Sequence, residues 1–87
     1  MIIGKVLGPV WGSNKEETLT GTKFLLICEL DKSLKETNKC IAAVDNLGAG
    51  KGDLVLVTTG NSALQTDHTK FKPIDAVTVA ILDGVDI

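Results

Sequence analysis

Apolar positions along the chain gather into five short blocks separated by polar or glycine-bearing stretches. From Ile2 to Trp11 the residues alternate, with Ile2, Gly4, Val6, Gly8 and Val10 on one face and Ile3, Lys5, Leu7, Pro9 and Trp11 on the other. A period of two with β-branched residues predicts a strand, because successive side chains of an extended chain leave opposite sides of the backbone. Gly4 and Gly8 on a shared face predict a bend or a close backbone approach, as at a barrel corner. The densest block, Lys23 to Leu30, predicts a second strand with Phe24, Leu26, Cys28 and Leu30 facing inward. Leu25 and Ile27 then lie outside and ask for a second covering. Asp31 to Lys39 is polar and lysine-rich, the pattern of a solvated loop, and Cys40 to Val44 is a third strand ending at Asp45-Asn46. Leu54 to Thr58 and Ala76 to Leu82 are the fourth and fifth strands, the latter preceded by a polar loop from Thr66 to Lys72 and by Pro73. Gly12 to Lys15 has turn chemistry, and Asn61 to Gln65 can form one helical turn after Gly60.

Five short strands, tight turns and one short helical turn predict an all-β fold, a small five-stranded OB-like barrel. The 87 residues allow one core, so residues 1–87 are expected to form a single domain. The second, fourth and fifth strands are apolar on both faces. Strands of that kind normally carry helices on their outer side, yet no segment offers an amphipathic helix of sufficient length. Large apolar patches are rare on soluble monomers, so the outer faces predict burial against a second copy of the chain.

Composition narrows the function. The formal net charge is -2, and arginine and tyrosine are absent from the chain. The aromatic residues are Trp11, Phe24 and Phe71. A nucleic-acid binder needs a basic face, arginine forks and stacking rings, so nucleic acid is not an expected partner. No apolar run approaches the roughly 18–20 residues of a membrane span, and the start of the chain lacks a secretory pattern. The expected setting is the cytoplasm, with Cys28 and Cys40 as reduced thiols acting as small buried hydrophobes.

No segment assembles a reactive site. Gly48-Ala49-Gly50-Lys51-Gly52-Asp53 has G-x-G-x-G spacing and precedes a strand, whereas a dinucleotide fingerprint needs G-x-G-x-x-G before a helix. A P-loop fails as well, since Asp45 stands where its first glycine belongs and Gly52 follows Lys51. This stretch is expected to be a turn with left-handed glycines. The lone His68 and the two strand-bound cysteines give neither metal-ligand spacing nor a nucleophile with its base. The aspartates near strand ends, Asp31, Asp45, Asp53, Asp75 and Asp83, predict turn caps rather than acid-base pairs. No catalytic residue, cofactor or metal is expected.

The motifs in order resemble the EutN/CcmL family, the pentameric vertex proteins of bacterial microcompartment shells. Gly21-Thr22-Lys23-Phe24-Leu25-Leu26-Ile27 is similar to the family's G-x-K-L-L-L-V segment. The stretch from Ala43 through Asp45, Gly48, Ala49, Gly50, Gly52 and Asp53 to Val57 resembles V-D-x-V-G-A-G-x-G-E-x-V-L-V. Gly60-Asn61-Ser62-Ala63 stands for G-S-S-A, and Pro73 to Ala76 with Ala80 to Asp83 for P-V-D-A and G-I-V-D. The resemblance implies a barrel that assembles as a cyclic homopentamer and closes shell vertices among hexameric shell proteins. It further implies that Gly60, Asn61 and Ser62 line a central pore, and that Asp45, Gly48, Ala49 and Gly50 support the subunit interface. Leu64 replaces the arginine that usually follows G-S-S-A, and Leu54 stands where a tryptophan is common.

Overall fold

The computed structural model describes residues 1–12, 17–66 and 74–84. Its strands are β1 (Ile2–Val10), β2 (Phe24–Leu30), β3 (Glu36–Val44), β4 (Leu54–Thr59) and β5 (Ala76–Leu82). They close a barrel in the order β1-β2-β3-β5-β4, with β4 returning to β1. Neighbouring strands are antiparallel except β3 and β5, which run parallel and share the single pair Val44–Val77. This is the OB-like barrel that the strand pattern predicts. The helical turn after β4 is a 3-10 turn over Gly60–Leu64, and a second one, Glu17–Leu19, lies ahead of β2 where the sequence reading placed no element.

The interior is filled by Val6, Leu25, Ile27, Ala43, Ala49, Val55, Val57 and Ala76. A smaller cluster of Val44, Ala63, Ile74 and Val77 sits beside it, with Leu19, Phe24 and Leu64 packed on its edge. Gly4 lets β1 and β2 approach. A Cβ built there would fall on Ile27 Cγ2 and lie 3.1 Å from the Cys28 carbonyl oxygen. The ladder between β1 and β2 shifts register between Val6 and Gly8, the bend expected of a barrel corner.

The facing of β2 from Leu25 to Ile27 is the reverse of the sequence expectation, while Cys28 and Leu30 are buried. Leu25 and Ile27 are buried in the core, and Leu26 is 38% exposed. Every residue of Phe24–Leu30 except Glu29 is apolar or a thiol, so composition cannot choose the face. The pairing with β1 chooses it. Val6 lies opposite Ile27 and Lys5 opposite Cys28, and directly opposed residues share a face. A charged Lys5 cannot enter the core, so Cys28 takes the outer side of the sheet with it, covered there to 4% exposure, and Ile27 goes in.

β3 also begins earlier than expected, at Glu36 rather than Cys40. Only Asp31 to Lys35 forms the turn, closed by Asp31 N–H donating to the Lys35 carbonyl and Leu34 N–H to the Asp31 carbonyl, both at 2.9 Å. Residues 36–40 are polar because this half of β3 pairs with β2 alone and its side chains meet water. A solvated strand of that kind carries no apolar alternation to reveal it. Cys40 belongs to this stretch and is exposed, contrary to the expectation that both cysteines are buried; Cys28 is buried.

Candidate functional site

The glycine-rich stretch after β3 is a turn built around one carboxylate. Asp45 follows the last residue of β3 and is 2% exposed. Its Oδ2 accepts hydrogen bonds from the backbone N–H groups of Gly48 (3.1 Å) and Ala49 (3.0 Å), and its Oδ1 accepts from Leu47 N–H at 3.4 Å. The Thr78 hydroxyl on β5 donates to Oδ1 at 2.7 Å, and Lys23 Nζ lies 3.4 Å from Oδ2. Lys23 also donates to the Ala49 carbonyl at 2.9 Å. Burial by itself would raise the Asp45 carboxyl, but the hydrogen bonds from Thr78, Leu47 and Ala49 and the Lys23 ammonium outweigh it. The group is held below its ordinary range. Gly48 and Gly52 adopt left-handed φ angles of 83° and 89°, which glycine takes without the steric cost of a side chain.

Asp45 and Ala49 are therefore buried within their own chain, while Gly48 and Gly50 face outward. Gly50 N–H donates to Asp53 Oδ2 at 2.8 Å, and Asp31 Oδ1 accepts from Ser33 and Lys35 N–H at 2.8 and 3.0 Å. The strand-end aspartates Asp31, Asp45 and Asp53 thus cap turns, as their positions suggest. Thr78 escaped the reading of the sequence; its signal was a hydroxyl in the middle of the apolar strand Ala76 to Leu82.

Gly60, Asn61 and Ser62 are exposed together on the 3-10 turn at the end of β4, and Gly60 takes a φ of 67°. The structure gathers these three on one turn and the Asp45–Gly50 group on another. Leu64, at the position where arginine is usual, packs against the Val44–Ala63–Ile74–Val77 cluster instead of presenting a charge. No group of three or more histidine, cysteine, aspartate or glutamate side chains suited to a metal occurs among the described residues. His68 lies outside them, as do Ser13 to Lys15 and most of the Thr66 to Lys72 loop.

The outer surface keeps apolar side chains uncovered. Leu7, Leu26, Val79 and Ile81 remain 36–41% exposed and Trp11 85%. Among the described residues no α-helix covers them. The ladder that closes the barrel between β3 and β5 is its shortest, the one pair Val44–Val77. A shallow groove lined by Ile41, Ala42, Thr59, Gly60, Asp75 and Ala76 opens beside that seam. Such a surface offers shape and apolar area for packing.

Over residues 1–83 the chain matches the family model described as ethanolamine utilisation protein EutN/carboxysome. The chain belongs to the EutN/CcmL family. It is 40% identical over 86 residues to the bacterial microcompartment shell vertex protein GrpN of Rhodospirillum rubrum, covering 99% of this chain and 97% of that protein. To the carboxysome shell vertex protein CcmL of Thermosynechococcus vestitus it is 41% identical over 85 residues, covering 98% and 86%. The solved structure of Gloeobacter violaceus CcmL matches with a TM-score of 0.96 at 37% identity, over 100% of this chain and 90% of that one. The pentameric microcompartment shell protein GrpN from Rhodospirillum rubrum matches with a TM-score of 0.89 at 38% identity, over 100% and 98%. These EutN/CcmL relatives are structural shell vertex proteins and not enzymes. An OB-type binding module for single-stranded nucleic acid or oligosaccharide, the other reading the fold allows, receives no support from them.

Proposed function

We propose that this chain is the pentagonal tile that closes the vertices of a bacterial microcompartment shell in the cytoplasm, joined at its rim to hexameric shell proteins. The observation that carries the reading is the apolar outer face, with Leu7, Leu26, Val79 and Ile81 uncovered on a barrel related to a solved pentamer. In a cyclic ring two different patches of each subunit meet, so the uncovered strand faces of one barrel pack on another region of the next. Asp45 and Ala49 shape the glycine turn from beneath, and Gly48 and Gly50 present its backbone to the neighbour. Gly60, Asn61 and Ser62 line the opening at the five-fold axis. With asparagine in place of the usual first serine, that opening offers an amide. Residues 1–87 act as one vertex domain.

Native mass over a range of chain concentrations tests this, with wild type and Gly50→Glu side by side. The wild type is expected as five 9.2 kDa chains, about 46 kDa in all. Among the described residues a Cβ at Gly50 meets only Asp53 Oδ2, at 3.9 Å, so Gly50→Glu is expected to fold and to lose the pentamer. A wild-type monomer at every concentration overturns the vertex role. An intact Gly50→Glu pentamer removes the glycine turn from the interface.

A further inference from the structure

Two thiols face one another across the outer surface of the barrel. In the β2–β3 ladder Cys28 lies directly opposite Cys40, and on its other side Cys28 lies opposite Lys5 of β1. Lys5, Cys28 and Cys40 thus form a row across three strands on the outer face. Directly opposed residues of antiparallel strands have Cα atoms roughly 4.5–5.5 Å apart, inside the roughly 4.4–6.8 Å range of disulfides. The two differ in access. Cys40 is exposed, whereas Cys28 is buried and donates from Sγ to the Thr37 carbonyl at 3.3 Å. The ion pair between Lys5 Nζ and Glu36 Oε1, at 4.0 Å, lies beside them.

We propose that Cys28 and Cys40 are a modification site, an exposed thiol and a buried resolving thiol that peroxide converts into a cross-strand disulfide within one chain. Cys40, the accessible partner, attacks hydrogen peroxide, forming an S–O bond as the O–O bond breaks, and becomes a sulfenic acid while one water leaves. Cys28 Sγ then attacks the Cys40 sulfur, its proton leaves with the departing hydroxyl as a second water, and the S–S bond forms. Two thiols lose two electrons and two protons, and one peroxide becomes two waters. Burial pushes the Cys28 thiol up from its ordinary value, and the neighbouring Cys40 and Glu36 add to this. Cys28 is therefore a poor first target and acts only once the Cys40 sulfur beside it is electrophilic.

The structural consequence lies in the β2–β3 hairpin. Beyond Cys28 its ladder shifts register before Leu30, and the first half of β3 has β2 as its one ladder partner. A bond between Cys28 and Cys40 fixes that register covalently while the rest of the barrel stays as it is.

The test titrates the reduced, assembled protein with hydrogen peroxide, then denatures it without reductant and alkylates it. Expected is the joint loss of both alkylation sites, with the mass of each chain lower by two hydrogens and no chain-to-chain link. Tryptic peptides 24–32 and 40–51 are then found joined. In Cys28→Ser, which retains a hydroxyl donor toward Thr37, Cys40 sulfenic acid has no resolving partner and is trapped by dimedone. In Cys40→Ser, Cys28 is oxidised at least about tenfold more slowly than Cys40 is in the wild type. Cys40 oxidised while Cys28 remains alkylatable overturns the proposal, as does a Cys40–Cys40 bond between chains, or no reaction at either thiol. The expected disulfide is read within single chains and does not require the assembly to be a pentamer.

Discussion

Removing the Asp45 carboxylate is expected to cost more than any other single polar change in the glycine turn. Asp45→Ala leaves the N–H groups of Gly48 and Ala49 and the Thr78 hydroxyl without the acceptor that now lies 2.7–3.1 Å away. A hydrogen bond to a charged group contributes about 1.5–3 kcal/mol. The bonds share one carboxylate and are not additive, and the Lys23 side chain is 47% exposed, so its ion pair adds less than about 1 kcal/mol. The combined loss is about 3–5 kcal/mol, below the simple sum of three such bonds. Asp45→Asn keeps the shape and one acceptor and is expected to lose about 1–2 kcal/mol. Because the folded carboxyl is held below 3.8, its contribution is complete above the unfolded value and disappears as pH falls through the folded one. The gap between wild type and Asp45→Asn is therefore full at neutral pH and closes in acid below 3.8. Urea unfolding at one fixed chain concentration measures both effects, since assembly makes stability depend on concentration. An Asp45→Ala loss below about 1 kcal/mol, or a gap that persists unchanged in acid, refutes the assignment of this carboxylate as the anchor of the turn.

Two backbone positions give further tests. Gly4→Ala drives a methyl onto Ile27 Cγ2 and the Cys28 carbonyl; overpacking of this kind is expected to cost about 1–3 kcal/mol in urea unfolding, and a neutral result would show that β1 and β2 can separate without penalty. Leu34 holds a left-handed φ of 62° in the β2–β3 turn. Leu34→Gly is expected to be more stable than Leu34→Ala by about 1 kcal/mol, because glycine relieves a strain that alanine keeps; equal thermal midpoints for the two variants would refute that strain.

Five strands, the helical turn after β4 and the turn character of the Gly48–Asp53 stretch were legible because each rests on local chemistry. Period-two alternation marks a strand, and glycine marks a left-handed turn. The role of Asp45 was only half legible. Its place at a strand end pointed to a cap, but Thr78 and Lys23 join it from positions 33 and 22 residues away along the chain, a distance no local motif spans. Both cysteines looked alike in sequence, each within an apolar block.

Sequence alone therefore determined the number of strands, the all-β class and the surplus of apolar surface that calls for a partner. Tertiary structure decided which surface that is. Leu25 and Ile27 became core and Leu26 became surface because Lys5, directly opposite Cys28 on β1, must remain solvated. The polar start of β3 became strand because the backbone of β2 supplies its hydrogen bonds whatever its side chains are. Facing and pairing are properties of two strands at once, and a strand that is apolar on both sides carries no record of which side its neighbour will turn inward.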